Sequence, residues 1–101
     1  VVHWGGTPTD LDKLKEVQDY AESTFGFRPM IIEDGAHSFG AEYNGKKLGN
    51  HGNIVMHSFQ AIKHLTTVDG GLLILPTDEL YQRGKLQRWF GISRERKNKQ
   101  K

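Results

Sequence analysis

The chain has 101 residues, of which 36% are hydrophobic and 26% charged, a balance typical of one soluble globular domain or part of a larger one. It has no cysteine and no apolar run near the ~18 residues that span a bilayer, which excludes disulfides, thiolate metal sites, cysteine nucleophiles and membrane spans. The net charge of +2 is uneven, because residues 1–82 hold six Lys/Arg against eleven Asp/Glu, and residues 83–101 hold eight against one.

The first third of the chain predicts a short strand followed by a helix. Val1–Trp4 is an apolar run that ends at the Gly5-Gly6 pair, and its start without methionine leads us to expect a segment of a longer protein. Thr9 is predicted to cap the helix at its N-terminus, and Gly26 to cap it at its C-terminus. The apolar positions of this helix recur at steps of three or four: Leu11, Leu14, Val17, Ala21 and Phe25.

The rest of the chain continues the alternation. Residues 29–32 form a compact apolar run that predicts a strand buried on both faces and ending at residues 33–35. The further predicted elements are a hairpin around Asn44-Gly45, a strand at 54–56, an irregular segment at 57–69, a strand at 71–75, and a helix from about Thr77 to about Phe90.

This order of elements predicts the fold class and the edge at which a ligand would bind. Strands alternating with helices predict an α/β fold, with three layers (α/β/α) and a mainly parallel sheet. Ligands of open α/β sheets bind at the carboxyl ends of the strands. Polar clusters follow three predicted strands, at residues 3–6, 33–37 and 57–63, so the sequence predicts a site where these clusters meet.

Four side chains in these clusters could carry chemistry, although each alone is a weak signal. Asp34 follows a buried strand and needs a cationic or hydrogen-bonding partner, but it could equally cap a loop as an Asx turn. His37 could be ordinary polar surface, and Ser58 an ordinary turn serine. Lys63 lies in a half-apolar, threonine-rich loop that is unlike the surroundings of a solvated lysine.

Together these residues stand in a known order. From residue 1 to about residue 88 the chain resembles the DegT/StrS-type sugar aminotransferases, pyridoxal-phosphate enzymes of the aspartate-aminotransferase fold (fold type I). The resemblance rests on four ordered blocks: Glu33-Asp34-Gly35-Ala36-His37-Ser38-Phe39-Gly40, Gly45-Lys46-Lys47-Leu48-Gly49, His57-Ser58-Phe59-Gln60-Ala61-Ile62-Lys63, and Thr66-Thr67-Val68-Asp69-Gly70-Gly71.

The resemblance implies a role for each of the four side chains. Lys63 matches the catalytic lysine that forms a Schiff base with the aldehyde of pyridoxal 5′-phosphate and later moves the substrate proton. Asp34 matches the acid that pairs with the pyridine nitrogen of the cofactor, which keeps the ring an electron sink. His37 matches a position beside the cofactor ring, and Ser58 a serine that contacts the cofactor phosphate.

Three positions depart from the family pattern or choose between its branches. Gly35 replaces the usual alanine, and Asp69 stands where many members carry glutamate; we interpret both as small changes. Relatives that remove a sugar hydroxyl can carry histidine at the lysine position. The chain has Lys63 there, which favours transamination over dehydration.

The resemblance also implies substrates and assembly. It implies a nucleotide-linked keto sugar as acceptor, glutamate as amino donor, a homodimer for the full-length protein and a cytoplasmic location, with no role for a membrane. Residues 1–93 are then part of the large, cofactor-binding domain, and residues 94–101 a basic tail that we expect to be disordered. The alternative is a truncated, non-catalytic module that keeps the fold and serves interaction or self-association.

Two further functions are not favoured by the residues. The basic tail could contact phosphate backbones, but it has no aromatic residue for base stacking, so we do not expect a nucleic-acid partner. His3, His51, His57 and His64 are spaced by 48, 6 and 7 residues, which matches no helical pair of metal ligands, so we expect no metal site.

Overall fold

The computed structural model describes residues 1–88 and 90–93, so the basic tail lies outside the described residues. In chain order its elements are a 3-10 turn (Trp4–Gly6), helix α1 (Leu11–Phe25), strands β1 (Ile32–Asp34), β2 (Glu42–Tyr43), β3 (Lys46–Lys47), β4 (Ile54–Ser58) and β5 (Gly71–Ile74), and helix α2 (Asp78–Arg88). Neither helix in this part of the chain has the length and apolar character needed to cross a membrane.

The main sheet has the strand order β1-β4-β5. Strands β1 and β4 are parallel, with Asp34 opposite Met56, whereas β4 and β5 are antiparallel, with Ser58 opposite Gly71. The predicted α/β class is confirmed, but the sheet is mixed rather than mainly parallel. Segment 59–70 forms no helix that could carry the chain back for a parallel crossover, so β5 returns beside β4 in the opposite direction.

The predicted strand at Val1–Trp4 is reduced to a single parallel bridge between Val2 and Asp34. Backbone hydrogen bonds nevertheless bind this segment to the edge of β1, because Asp34 N donates to Val1 O at 2.8 Å and His3 N donates to Asp34 O at 3.0 Å. The chain then turns at once into the 3-10 turn that begins at Trp4.

Helix α1 begins one residue later than predicted. Asp10, not Thr9, is the N-cap, and its carboxylate accepts a hydrogen bond from Lys13 N at 3.1 Å. The Thr9 hydroxyl instead donates to Val2 O at 3.2 Å, and Thr9 N donates to Nδ1 of His3 at 2.9 Å, so this residue is bonded to the N-terminal segment rather than to the helix. The glycine cap is confirmed, since Gly26 has φ 75° and donates to the carbonyl of the last turn.

The predicted burial of β1 on both faces is wrong for this chain. Ile32 is 55% exposed and Met30 60% exposed, whereas Glu33 is completely buried, and the strand continues through Asp34. The buried apolar side chains among the described residues are few: Leu11, Ala21, Leu48 and Val55.

The hairpin predicted around Asn44-Gly45 is confirmed as β2 and β3. Both turn residues have positive φ, 51° for Asn44 and 74° for Gly45, as this kind of two-residue turn requires. The hairpin is joined to the start of α1, because the Tyr43 hydroxyl donates to Asp10 at 2.8 Å and Asn44 Nδ2 donates to Asp12 at 2.9 Å.

The last strand and helix follow the prediction closely. Strand β5 ends one residue before the predicted end at Leu75, and α2 begins at Asp78, where Thr77 Oγ1 accepts a hydrogen bond from Leu80 N at 3.3 Å. The helix ends at Arg88, and residue 89, which the prediction included, lies outside the described residues.

Candidate active site

Asp34 is the last residue of β1, and its carboxylate forms the Asx turn that the sequence left open as an alternative. Oδ1 accepts a hydrogen bond from Ala36 N at 3.0 Å. Within residues 1–88 and 90–93 the other oxygen, Oδ2, has no hydrogen-bond partner, and the side chain is half-buried. The turn therefore orients one oxygen and leaves the second available for a ligand.

His37 lies on the surface in the turn that follows Asp34. Its Nδ1 accepts a hydrogen bond from Gly5 N at 3.4 Å, so the proton of the neutral ring is on Nε2. The Trp4 ring packs edge-on against it, with the ring centroids 5.4 Å apart. Trp4 is 77% exposed, so the polar clusters at residues 3–6 and 33–37 meet at an open face.

Ser58 is the last residue of β4, at the carboxyl end of that strand. Its Oγ accepts a hydrogen bond from Gln60 N at 3.4 Å. Because β1 and β4 are parallel, Ser58 and Asp34 end their strands at the same edge of the sheet. The sheet thus brings together two of the four predicted positions.

Lys63 lies in a loop, residues 59–70, that is closed at its base. Phe59 N donates to Gly70 O at 2.9 Å, and Thr67 N donates to Phe59 O at 2.9 Å. Lys63 N donates to Gln60 O at 2.9 Å, its side chain is half-buried, and no described residue bonds its Nζ. The apolar side chains of this loop are largely exposed, with Ile62 at 83% and Val68 at 72%, so the half-apolar surroundings expected for this lysine stay a prediction.

The same loop contains a strained residue. Val68 has φ 71°, a left-handed conformation that is costly for a β-branched side chain. Thr66 Oγ1 accepts a hydrogen bond from Val68 N at 2.9 Å and donates to Phe59 O at 3.0 Å. These bonds hold the strained turn against the base of the loop.

Two contacts join the lysine loop to the segment after His37. His64 Nε2 lies 2.9 Å from Phe39 O, where it donates, and the rings of Phe39 and Phe59 pack edge-on at 5.1 Å. The structure gives no direct hydrogen bond among the side chains of Asp34, His37, Ser58 and Lys63 within its described ranges. It therefore brings together the segments that carry these residues rather than the side chains themselves.

A buried polar pair behind the site was missed by the sequence reasoning. The side chains of His3 and Glu33 are both completely buried, with Nε2 and Oε1 3.8 Å apart. Burial lowers the pKa of His3, because removal from water disfavours the charged ring more than the nearby Glu33 favours it. Glu33 also accepts a hydrogen bond from Asn53 Nδ2 at 3.3 Å.

His57 was missed in the same way and is 4% exposed. Its Nδ1 lies 3.0 Å from Gly35 O, and the Phe39 ring packs edge-on against it at 5.2 Å. A signal was present, because side chains alternate along a strand and His57 stands two residues after the apolar Val55. In the described part of the chain no group of three or more His, Asp or Glu side chains could hold a metal ion.

The surroundings of Gly35 contradict the interpretation that glycine in place of alanine is a small change. An added Cβ would lie 2.7 Å from Cε1 and Nδ1 of His57 and 2.9 Å from Met56 O. The replacement of alanine by glycine is therefore not a small change here, since the space of the missing methyl group is occupied by His57.

Comparison with known proteins gives one family over the whole chain. The model of the DegT/DnrJ/EryC1/StrS aminotransferase family matches residues 1–101. In a transaminase of Campylobacter jejuni, UDP-4-amino-4,6-dideoxy-N-acetyl-beta-L-altrosamine transaminase, 96 residues are 33% identical and cover 95% of this chain and 24% of that protein.

Two solved structures are similar in both fold and sequence. AtS13 from Actinomadura melliaura has a TM-score of 0.91 and 58% identity, over 93% of this chain and 25% of its own. The sugar aminotransferase CalS13 from Micromonospora echinospora has a TM-score of 0.89 and 49% identity, over 94% of this chain and 26% of its own. The chain thus spans about a quarter of the length of these proteins.

Proposed function

The chain belongs to the DegT/DnrJ/EryC1/StrS aminotransferase family, and from this premise we propose that the protein carrying it transfers an amino group to a sugar with the help of pyridoxal 5′-phosphate. The observation that carries the proposal is the shared sheet edge. Asp34 ends β1, Ser58 ends the parallel strand β4, and the loop with Lys63 follows Ser58 directly. Ligands of α/β sheets bind at such an edge.

The chemistry of the available atoms fits the cofactor. Asp34 offers the unpartnered Oδ2 on a half-buried carboxylate, and Lys63 offers an amine that no described residue bonds. A carboxylate and an amine are the two groups that a protonated pyridine nitrogen and an aldehyde require. Pyridoxal 5′-phosphate, when bound, supplies an electron sink for the substrate carbon that loses a proton.

Each of the four residues would then have a defined role. Asp34 would hold a proton at the ring nitrogen, Lys63 would hold the cofactor and move a proton at the substrate carbon, and Ser58 would donate its hydroxyl hydrogen to the phosphate. His37 would lie beside the ring. We assign Lys63 as the catalytic residue and all four as cofactor-binding residues.

The substrates follow from the family resemblance. We propose a nucleotide-linked keto sugar as acceptor and glutamate as donor. Glutamate would lose its amino group and become a keto acid, and the keto sugar would carry that amino group in place of its carbonyl oxygen. The name of the Campylobacter jejuni relative, a transaminase of a UDP-linked amino sugar, supports the nucleotide-linked class. We further propose that the full-length protein is a homodimer.

Borohydride trapping tests the proposed site in the full-length protein. Reduction in the presence of pyridoxal 5′-phosphate should fix the cofactor on the peptide that contains Lys63, as read by mass spectrometry. Lys63→Ala should lose this label, whereas Lys47→Ala, a lysine of the hairpin that bonds Glu42 at 3.1 Å, should keep it. A label on another lysine, or no label, contradicts the proposal.

The isolated 101-residue chain should behave differently from the full-length protein. We expect weak or no attachment of the cofactor and no amino transfer, because the chain spans about a quarter of the length of its relatives. A stable cofactor absorbance band that disappears in Lys63→Ala would contradict this expectation.

A further inference from the structure

His57 contacts the turn that carries Asp34, and this contact identifies which of its ring nitrogens donates a hydrogen bond. Side-chain burial alternates along β4, so that Val55 and His57 are buried on one face. Nδ1 of His57 lies 3.0 Å from Gly35 O. Because a carbonyl oxygen can only accept, Nδ1 carries a proton and donates a hydrogen bond to Gly35 O.

The ring also requires that position 35 has no side chain. An added Cβ would lie 2.7 Å from two atoms of the His57 ring, closer than non-bonded carbon atoms approach. The backbone of Gly35 is not in the left-handed region, so the requirement is for space and not for conformational freedom. Gly35 and His57 are thus a complementary pair, and the Phe39 ring packs edge-on against the His57 ring, with the centroids 5.2 Å apart.

The hydrogen bond from His57 is one of three that hold Gly35 in the turn beside the site. Gly35 N donates to Met56 O at 2.7 Å, and Gly35 O accepts from His57 Nδ1 at 3.0 Å and from Ser38 N at 2.9 Å. The His57 bond and the Met56 bond join the turn to β4, whereas the Ser38 bond lies within the turn. Gly35 stands between Asp34 and Ala36, whose N–H binds the Asp34 carboxylate at 3.0 Å. Gly35 therefore lies between the carboxylate of Asp34 and the N–H group that binds it, and bonds that hold Gly35 also restrain this turn.

From this geometry we propose that His57 is a positioning residue for the cofactor-binding turn, acting on Asp34 through its Nδ1–H hydrogen bond to Gly35. The inference rests on the proposed function, because it assumes that Asp34 binds the cofactor. His57 touches neither cofactor nor substrate in this role. Its contribution is to hold the turn at a fixed distance from β4.

Two substitutions of similar size separate the hydrogen bond from simple packing. In the full-length protein, His57→Leu fills the space without a donor, and His57→Asn keeps an amide N–H near Nδ1 but packs less well against Phe39. Dissociation constants for pyridoxal 5′-phosphate are measured by titration, the spectrum of the bound cofactor by absorbance, and stability by thermal unfolding.

We expect His57→Leu to weaken cofactor binding about three- to tenfold and to shift the cofactor absorbance, the effect of losing one hydrogen bond. His57→Asn should bind the cofactor nearly as the parent does, even if it unfolds at a lower temperature. If His57→Leu binds the cofactor with unchanged affinity and spectrum, or His57→Asn binds it worse than His57→Leu, the ring only packs and the inference is overturned.

Variants of Gly35 and His57 test the steric pairing of these two residues independently. Gly35→Ala should lower the unfolding temperature, and the same change made in a His57→Ala background should lower it less, because part of the clash is removed. Equal losses in both backgrounds contradict the pairing. A parent protein that binds no pyridoxal 5′-phosphate overturns the proposed function together with this inference, whereas a binding parent with the reversed order of variants overturns the inference alone.

Discussion

His3 and Glu33 face each other with Nε2 and Oε1 3.8 Å apart, both side chains completely buried, and no hydrogen bond joins them. The distance is too long for a hydrogen bond. His3 uses Nδ1 to accept from Thr9 N at 2.9 Å, so the neutral ring directs its Nε2 proton towards the carboxylate. Two predictions depend on this pair.

His3 should make stability decrease as the pH falls. Its pKa is lowered in the folded state by burial, so the unfolded chain takes up a proton first as the pH drops. The contribution is complete above about pH 6.5 and is lost below it. Urea unfolding of the full-length protein at several pH values measures this dependence. His3→Asn, which keeps an acceptor for Thr9 but cannot titrate, should show a shallower dependence; an identical slope contradicts the prediction.

Glu33 should be sensitive to truncation but tolerant of an isosteric amide. Glu33→Ala leaves Asn53 Nδ2 without its acceptor and removes the carboxylate that faces the His3 ring, so it should lower the free energy of unfolding by about 1–3 kcal/mol. Glu33→Gln keeps an acceptor oxygen and should cost less, as chemical denaturation can measure. Equal losses in the two variants would show that the carboxylate charge itself is required.

Asp10 should contribute stability at neutral pH that disappears in acid. The pKa of this N-cap carboxyl is lowered by the hydrogen bond from Lys13 N and, to a smaller extent, by the Tyr43 hydroxyl. Because the folded pKa lies below the unfolded value of 3.8, the contribution is complete above that pH and is lost as the pH falls through the folded pKa.

Asp10→Asn is the matched variant for this effect, since asparagine still caps a helix but carries no charge. The stability difference between the parent and Asp10→Asn should shrink as the pH is lowered below 3.8. Tyr43→Phe removes the smaller cause and should change the dependence less. A difference that is constant with pH would contradict the assignment.

Gly45 should be required for its backbone alone. It has φ 74°, and an added Cβ would meet no atom within 4 Å, so Gly45→Ala tests the conformation without a steric clash. We expect a loss of about 1 kcal/mol in the free energy of unfolding. Gly45→Asn should lose less, because asparagine tolerates the left-handed region better. If alanine costs nothing, the turn does not have the conformation described.

Local signals in the sequence predicted much of this chain, and contacts distant in sequence account for most of what they missed. Asn44-Gly45 and Gly26 were predicted correctly because each needs a positive φ that few residues accept. Thr9 was predicted as the helix cap because its side chain suits that role. Asp10 is the cap instead, and the side chain of Thr9 is bonded to Val2 O, a contact with the N-terminal segment that the local pattern does not express.

Burial was predicted less well than local conformation. The apolar run at residues 29–32 predicts a doubly buried strand, yet Ile32 is 55% exposed, because little of the described chain packs against it. From the sequence His57 is only a member of the polar cluster at residues 57–63 and an unfavoured metal ligand. Its contact with Gly35 joins residues 22 positions apart and depends on a missing methyl group, which no local pattern expresses.

The positions of Asp34, His37, Ser58 and Lys63 as site residues rest on the family pattern and remain predictions. The structure adds the sheet edge shared by Asp34 and Ser58 and the contact of the lysine loop with Phe39.

The segment that carries Asp34 is held by more backbone hydrogen bonds than the loop that carries Lys63. Asp34 N and O are bonded to Val1 and His3, and β4 lies on its other side, so the amide hydrogen should exchange slowly with solvent. Lys63 lies in a loop closed only at its base and near Phe39, and it can open locally without breaking the sheet. If Asp34 and Lys63 have the roles proposed above, the carboxylate keeps a fixed position while the amine moves away and returns.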